Sequence, residues 1–108
     1  MSVVQKLIDA QDNQDLKAYN EVVSEDYVWV KHSTGEEIPR DELSKWLISP
    51  DAPKTESSRI IYENDEIGVD HAFVRFQSDD NRQAVLAVYK FQDGKIISIE
   101  TGATNLAQ

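Results

Sequence analysis

Cysteine is absent from the 108 residues. That removes disulfides, thiolate nucleophiles and cysteine metal ligands together, and it suits a reducing compartment. Basic residues are scarce as well: eleven Lys and Arg stand against twenty Asp and Glu, for a formal charge of −9. Such a surface repels phosphate backbones and carries no clustered basic stripe for counterion release, so no nucleic acid partner is expected. Long apolar runs are also missing. The longest, Ala84 to Tyr89, is far too short to span a bilayer, and the start MSVVQKLIDAQD has no cationic head ahead of an apolar stretch. No membrane partner and a cytoplasmic setting are the expectation. With four Gly and three Pro there is no linker, repeat or low-complexity tract, and residues 1–108 read as one domain. Two histidines far apart, no H-E-x-x-H or EF-hand spacing, no Gly-rich phosphate loop and no G-x-S-x-G elbow leave no metal and no cofactor to expect.

The residues present change period along the chain. Val3, Val4, Leu7 and Ile8 recur at helical spacing until Asp12-Asn-Gln-Asp15 interrupts them, and Leu16, Tyr19, Val22 and Val23 resume the stripe. This predicts a helical hairpin running into Ser24-Glu-Asp26. From Tyr27 the period becomes two, placing Val28, Val30 and His32 on one side of a strand and Tyr27, Trp29 and Lys31 on the other. Ser33-Thr-Gly35 turns the chain, and Pro39 with Asp41 and Glu42 suits the first turn of a third helix whose stripe is Leu43, Trp46 and Leu47. Pro50 and Pro53 end it. Strands follow at Arg59 to Tyr62, at His71 to Phe76, at Ala84 to Phe91 and at Ile96 to Thr101, with a loop at Ser78 to Asn81.

Asp93-Gly94 between two apolar runs is the strongest hairpin signal in the chain, because a two-residue mirror-image turn needs positive φ at both central residues. Counting outward from it pairs Gln92 with Lys95, Phe91 with Ile96, Tyr89 with Ser98 and Ala87 with Glu100. One face then carries Val85, Ala87, Tyr89, Phe91, Ile96, Ser98 and Glu100; the other carries Leu86, Val88, Lys90, Ile97, Ile99 and Thr101. Neither reads as solvated. Helices should cover one face and a second copy of the chain the other.

Helix, helix, strand, helix and four strands closing on a DG hairpin, with the stretches DLKAYNEVVSEDYVWV, PRDELSKWL and AVLAVYKFQDGKI, resembles the nuclear transport factor 2-like (NTF2-like) superfamily, in its branch of SnoaL-like polyketide cyclases and ketosteroid isomerases. The resemblance implies an α+β, cystatin-like cone: three helices against a curved, mainly antiparallel sheet. It also implies a pocket for a small, largely apolar molecule and a homodimer through the outer face of the sheet. The isomerases use a helix-one tyrosine, a strand-one aspartate base and a protonated aspartate on the penultimate strand. These positions fall on Leu7, on His32 within one residue, and on Ala87. Two of the three polar groups are missing, which speaks against steroid isomerisation, since oxyanion donors supply the main stabilisation of an enolate.

The resemblance leaves two readings. In the first, cofactor-independent proton transfer, isomerisation or cyclisation proceeds in the pocket with His32 as base and Glu100 as a second acid or base. Histidine titrates near neutrality, and the parity of His32 with Val28 and Val30 aims it inward. In the second, the cone is a non-catalytic ligand-binding or interaction module, as apolar Leu7 and Ala87 suggest. Trp46, Tyr62, Ala87 and Tyr89 are the expected pocket lining. Arg75 is a candidate for gripping a carboxylate, against the plainer reading of an ion pair. Tyr27, Trp29 and Lys31 fit a dimer face.

Overall fold

The computed structural model describes residues 2–50, 52–76 and 81–106. Most of the loop expected at Ser78 to Asn81 lies outside them. Helix α1 (Val3–Asp12) starts where the Ser2 hydroxyl accepts the Gln5 N–H at 3.0 Å, and α2 (Leu16–Val22) starts where Asp15 accepts the Ala18 N–H at 3.1 Å. Both are side-chain N-caps of the kind that satisfies orphan helix donors. The apolar stripe of α1 buries Val4, Leu7 and Ile8, and α2 buries Tyr19. Strand β1 (Val23–Lys31) follows directly. A short β2 (Glu37–Pro39) pairs back on it, and α3 (Arg40–Leu47) leads to β3 (Pro53–Glu63), β4 (Ile67–Phe76), β5 (Arg82–Gln92) and β6 (Lys95–Asn105).

The six strands form one sheet in the order β2-β1-β6-β5-β4-β3, antiparallel throughout except where β1 runs parallel to β6. The helices cover its inner face. At the start of β4 this packing is so close that a Cβ on Gly68 would lie 2.7 Å from Val4 Cγ2 and 2.9 Å from Phe91 Cζ. No helix among the described residues is long and apolar enough to cross a membrane.

Several strands outrun their sequence signals. β1 begins at Val23 rather than Tyr27, β3 at Pro53 rather than Arg59 and β4 at Ile67 rather than His71, while β2 had no signal of its own. Polar stretches such as Lys54 to Ser58 have little strand propensity. Pairing with β4 makes them strand, as expected when context outweighs intrinsic preference. Pro39 closes β2 and sits one residue before α3 rather than inside its first turn.

The Asp93-Gly94 turn forms as expected, with φ of 54° and 79°. The ruler drawn from it holds for Gln92↔Lys95 and Phe91↔Ile96 and then slips, because the next pairs are Lys90↔Ser98, Tyr89↔Ile99, Val88↔Glu100 and Ala87↔Thr101. Ile97 is the extra residue of a β-bulge. A one-residue slip sends every later side chain of that strand to the opposite face. Ile99, Thr101 and Ala103 therefore point in with Tyr89, Ala87 and Val85, whereas Ser98 and Glu100 point out.

Candidate functional site

The inner face of the sheet and the three helices enclose a cavity of about 600 Å³. Small side chains keep it hollow: Ala72 and Val74 on β4, Val85 and Ala87 on β5, and Ala103 on β6 all face it. Ile8 and Gln11 of α1 and Leu43, Trp46 and Leu47 of α3 form its roof. Aromatic residues concentrate on its walls, which include both tryptophans and every tyrosine except Tyr62. Trp29 and Trp46 lie with ring centroids 5.9 Å apart and planes tilted by 32°, and the Trp29 indole N–H donates to Thr101 Oγ1 at 2.8 Å, which fixes that ring.

The buried end is polar. Asp70 of β4, 3% exposed, accepts a hydrogen bond from the Tyr89 hydroxyl at 2.7 Å across the β4–β5 ladder. Its other carboxylate oxygen has no hydrogen bond within the described residues. Burial pushes the Asp70 carboxyl above the usual carboxylate range, partly offset by the Tyr89 hydrogen bond and the nearby charge of His71. On the same cavity wall, Tyr19 and Tyr27 meet edge to face at 6.4 Å. Burial pushes the Tyr19 phenol up to about 12 and carries Tyr27 and Tyr89 well above the ordinary phenol range, so all three stay neutral donors. The exposed end carries Glu42, Ser33, Gln83 and Lys31. The Lys31 ammonium sits 5.4 Å above the Trp29 ring and 3.8 Å from Glu36 Oε1.

Of the residues singled out from sequence, Trp46, Ala87 and Tyr89 line this cavity. Leu7 is fully buried in the core and does not reach it; Tyr62 is an exposed residue whose hydroxyl accepts from Asn64 Nδ2 at 3.2 Å. Arg75 lies outside as well, with Nη2 3.3 Å from Glu56 Oε2 while Arg82 Nε holds the other oxygen at 2.5 Å. His32 and Glu100 do come together, Nε2 to Oε1 at 3.4 Å, but on the outer face with about half of each side chain exposed. The inward aim expected for His32 is thus corrected. Its strand neighbours Trp29 and Lys31 pair with inward Ile99 and Thr101, so the sides of β1 are the reverse of those expected. The bulge at Ile97 does the same to Glu100.

Tyr27, Trp29 and Lys31, read as a dimer face, are cavity walls. Asp70 was not singled out at all. Its signal was legible: it shares parity with Ala72, Val74 and Phe76, a carboxylate on the apolar side of its strand.

No family model matches the chain, and no curated protein does either. Solved structures do resemble it. A provisionally named ketosteroid isomerase from Kribbella flavida superposes with a TM-score of 0.83 at 13% identity, over 98% of this chain and 78% of that one. An NTF2-like protein of unknown function from Cytophaga hutchinsonii gives 0.80 at 12% identity, over 94% and 87%. A provisionally named polyketide cyclase from Sinorhizobium meliloti gives 0.75 at 17% identity, over 93% of each chain. At such identities the likeness speaks for architecture and not for activity, and what it establishes is that this chain carries the nuclear transport factor 2-like fold.

Proposed function

We propose that the protein binds a small molecule in this cavity and that Asp70, oriented by Tyr89, exchanges a proton with it without a cofactor. The observation that carries the reading is a buried carboxyl, one oxygen of which has no partner within the described residues, in a chamber walled largely by aromatic and apolar side chains. A volume of about 600 Å³ suits a drug-sized ligand. A carboxyl displaced upward by burial is a better base towards carbon or oxygen acids than an ordinary surface aspartate. Steroid isomerisation is not part of the proposal, because Leu7 and Ala87 offer no oxyanion donor. His32 and Glu100 have no place in it either.

A homodimer through the outer face accompanies the reading. Val28 and Val30 of β1, Leu86 and Val88 of β5 and Phe73 of β4 supply apolar side chains to that face, on either side of outward Ser98 and Glu100 of β6. Light scattering after size exclusion measures it, and Leu86→Glu should give the monomer mass. Native mass spectrometry of freshly purified protein tests the chamber. Wild type and His32→Ala should retain a small molecule that Ala87→Trp loses. Suppose instead that wild type retains none and that a fragment screen leaves the indole signals of Trp29 and Trp46 unmoved. The chamber reading is then wrong.

A further inference from the structure

We infer that the chamber takes a ligand bearing a cationic nitrogen, an aryl or alkyl ammonium, held with its charge against Asp70 and the faces of the surrounding aromatic rings. The inference rests on the small-molecule reading above and adds the charge class of the ligand.

Three lines of observation meet here. The first is the sign of the charge. Asp12, Glu42 and Asp70 face the cavity, and Lys31 is the only cationic side chain among the described residues lining it. That ammonium stands at the exposed end, beside Glu36 and over the Trp29 ring; deeper in, among the described residues, positive charge reaches the wall only from behind the lining, from Arg40 towards Tyr19 and from His71 towards Asp70. With a chain charge of −9, the field opposes an anion and draws in a cation.

The second line is the wall chemistry. Tyr89 bonds Asp70, Tyr19 and Tyr27 line the same cavity, and Trp29 and Trp46 continue the wall. An aromatic ring presents its negative π face to a cation, most strongly for Trp and away from water, and a cage of such rings is a recognised receptor for ammonium groups. A carboxylate ligand would meet the same faces unfavourably.

The third is the unused valence. Tyr89 occupies one oxygen of Asp70 and leaves the other without a partner within the described residues. An ammonium N–H completes it, forming the charge-assisted hydrogen bond that a buried carboxylate needs to stay ionised. A neutral hydroxyl could fill the same valence but would add no opposite charge to Asp70.

The test is a matched series on one skeleton: phenylbutylamine, phenylbutanol and phenylbutanoate, titrated at pH 7.5 with indole fluorescence excited beyond phenyl absorption. Both tryptophans line the chamber, so their emission reports its occupancy. An aliphatic amine is fully protonated at this pH. The amine should bind about tenfold or more tightly than the alcohol, a gap set by the size of a desolvated cation–π contact. The carboxylate should bind weakest. In Asp70→Asn, checked for native circular dichroism, the amine should lose its advantage while the alcohol is held as before; Lys31→Met should leave the amine's preference intact. Equal binding of amine and alcohol in wild type overturns the cationic inference and leaves the chamber reading standing. Tightest binding by the carboxylate does the same. If none of the three binds, both fall.

Discussion

Replacing Tyr89 by Phe removes the hydrogen-bond donor at 2.7 Å that Asp70 has within the described residues. A hydrogen bond to an ionised group contributes about 1.5–3 kcal/mol and one between neutral groups about 1 kcal/mol. Because Asp70 is only 3% exposed, the bulk solvent cannot fully replace the lost donor. The variant should therefore be less stable by about 2 kcal/mol where Asp70 is ionised and by about 1 kcal/mol where it is protonated. At roughly 4 °C per kcal/mol for a domain of this size, the larger deficit is about 8 °C in Tm.

The direction with pH follows from the position of the carboxyl. Burial raises Asp70 above its unfolded value, so its contribution is complete below the unfolded aspartate pKa of about 3.9 and is lost as pH rises through the folded value. The Tyr89 hydrogen bond limits that loss. Without it the folded value moves higher still, and the gap between variant and wild type widens from about pH 4 upward. Urea unfolding followed by circular dichroism between pH 4.5 and 8 measures the gap. A double-mutant cycle with Asp70→Leu isolates the pair, and its coupling energy should be about 1.5–2 kcal/mol at pH 8. A coupling below about 0.5 kcal/mol, or a deficit independent of pH, would show that the two side chains do not share a charged hydrogen bond.

Three further outcomes are expected. Ala87→Leu grows into open chamber, so it should leave stability unchanged or raise it by about 1–2 kcal/mol while weakening any chamber ligand; an unaltered affinity would place the ligand elsewhere. Gly68→Ala puts a methyl 2.7 Å from Val4 Cγ2, and the overpacking should destabilise by about 1–3 kcal/mol in urea melts, so a wild-type melt would mean that α1 moves aside freely. The phenols of Tyr19, Tyr27 and Tyr89 lie above their unfolded value, with Tyr19 near 12, which means that the stability they hold is complete below pH 10 and lost as pH climbs through the folded values. Absorbance at 295 nm should therefore show their ionisation together with alkaline unfolding, and smooth titration in a folded protein would contradict their burial.

Much of the architecture was written in local patterns. The two capped helices, the α3 stripe and the Asp93-Gly94 turn each rest on residues within a few positions of one another, and each forms. The site was less legible because it depends on parity, which is a nonlocal property. His32 was placed inward by its company with Val28 and Val30, yet β-branched residues suit either face of a sheet. Tyr27 and Trp29 were the better guide, since large rings fill an interior more readily than valines do. For Glu100 the turn supplied the correct register for two pairs only. Nothing in Lys95 to Ser98 marks Ile97 as a bulge, and the insertion serves the bending of a sheet in which the other neighbour of β6, β1, lies far away in sequence. Asp70 shares the parity of Ala72, Val74 and Phe76 but lay one residue before the strand expected from His71, so it was not weighed as part of that strand.

The size of the chamber bears on what fills it. At about 24 cal/mol per Å³, a dry void of this volume would destabilise the fold by as much as a small domain's whole stability. The cavity, about 600 Å³, must therefore hold water when it holds no ligand. That water borders rings and alanines along most of the wall and finds strong partners only near Asp70, the tyrosine hydroxyls and the exposed end. A ligand that covers the rings releases the poorly bonded part of this water, the favourable half of the exchange. To bind well it must also replace what the water gave Asp70. An apolar molecule lacking a polar tip would gain the first term and forfeit the second, leaving a buried carboxylate with a vacant valence. The chamber is therefore selective at one point, the free oxygen of Asp70, and permissive along the remainder of its length.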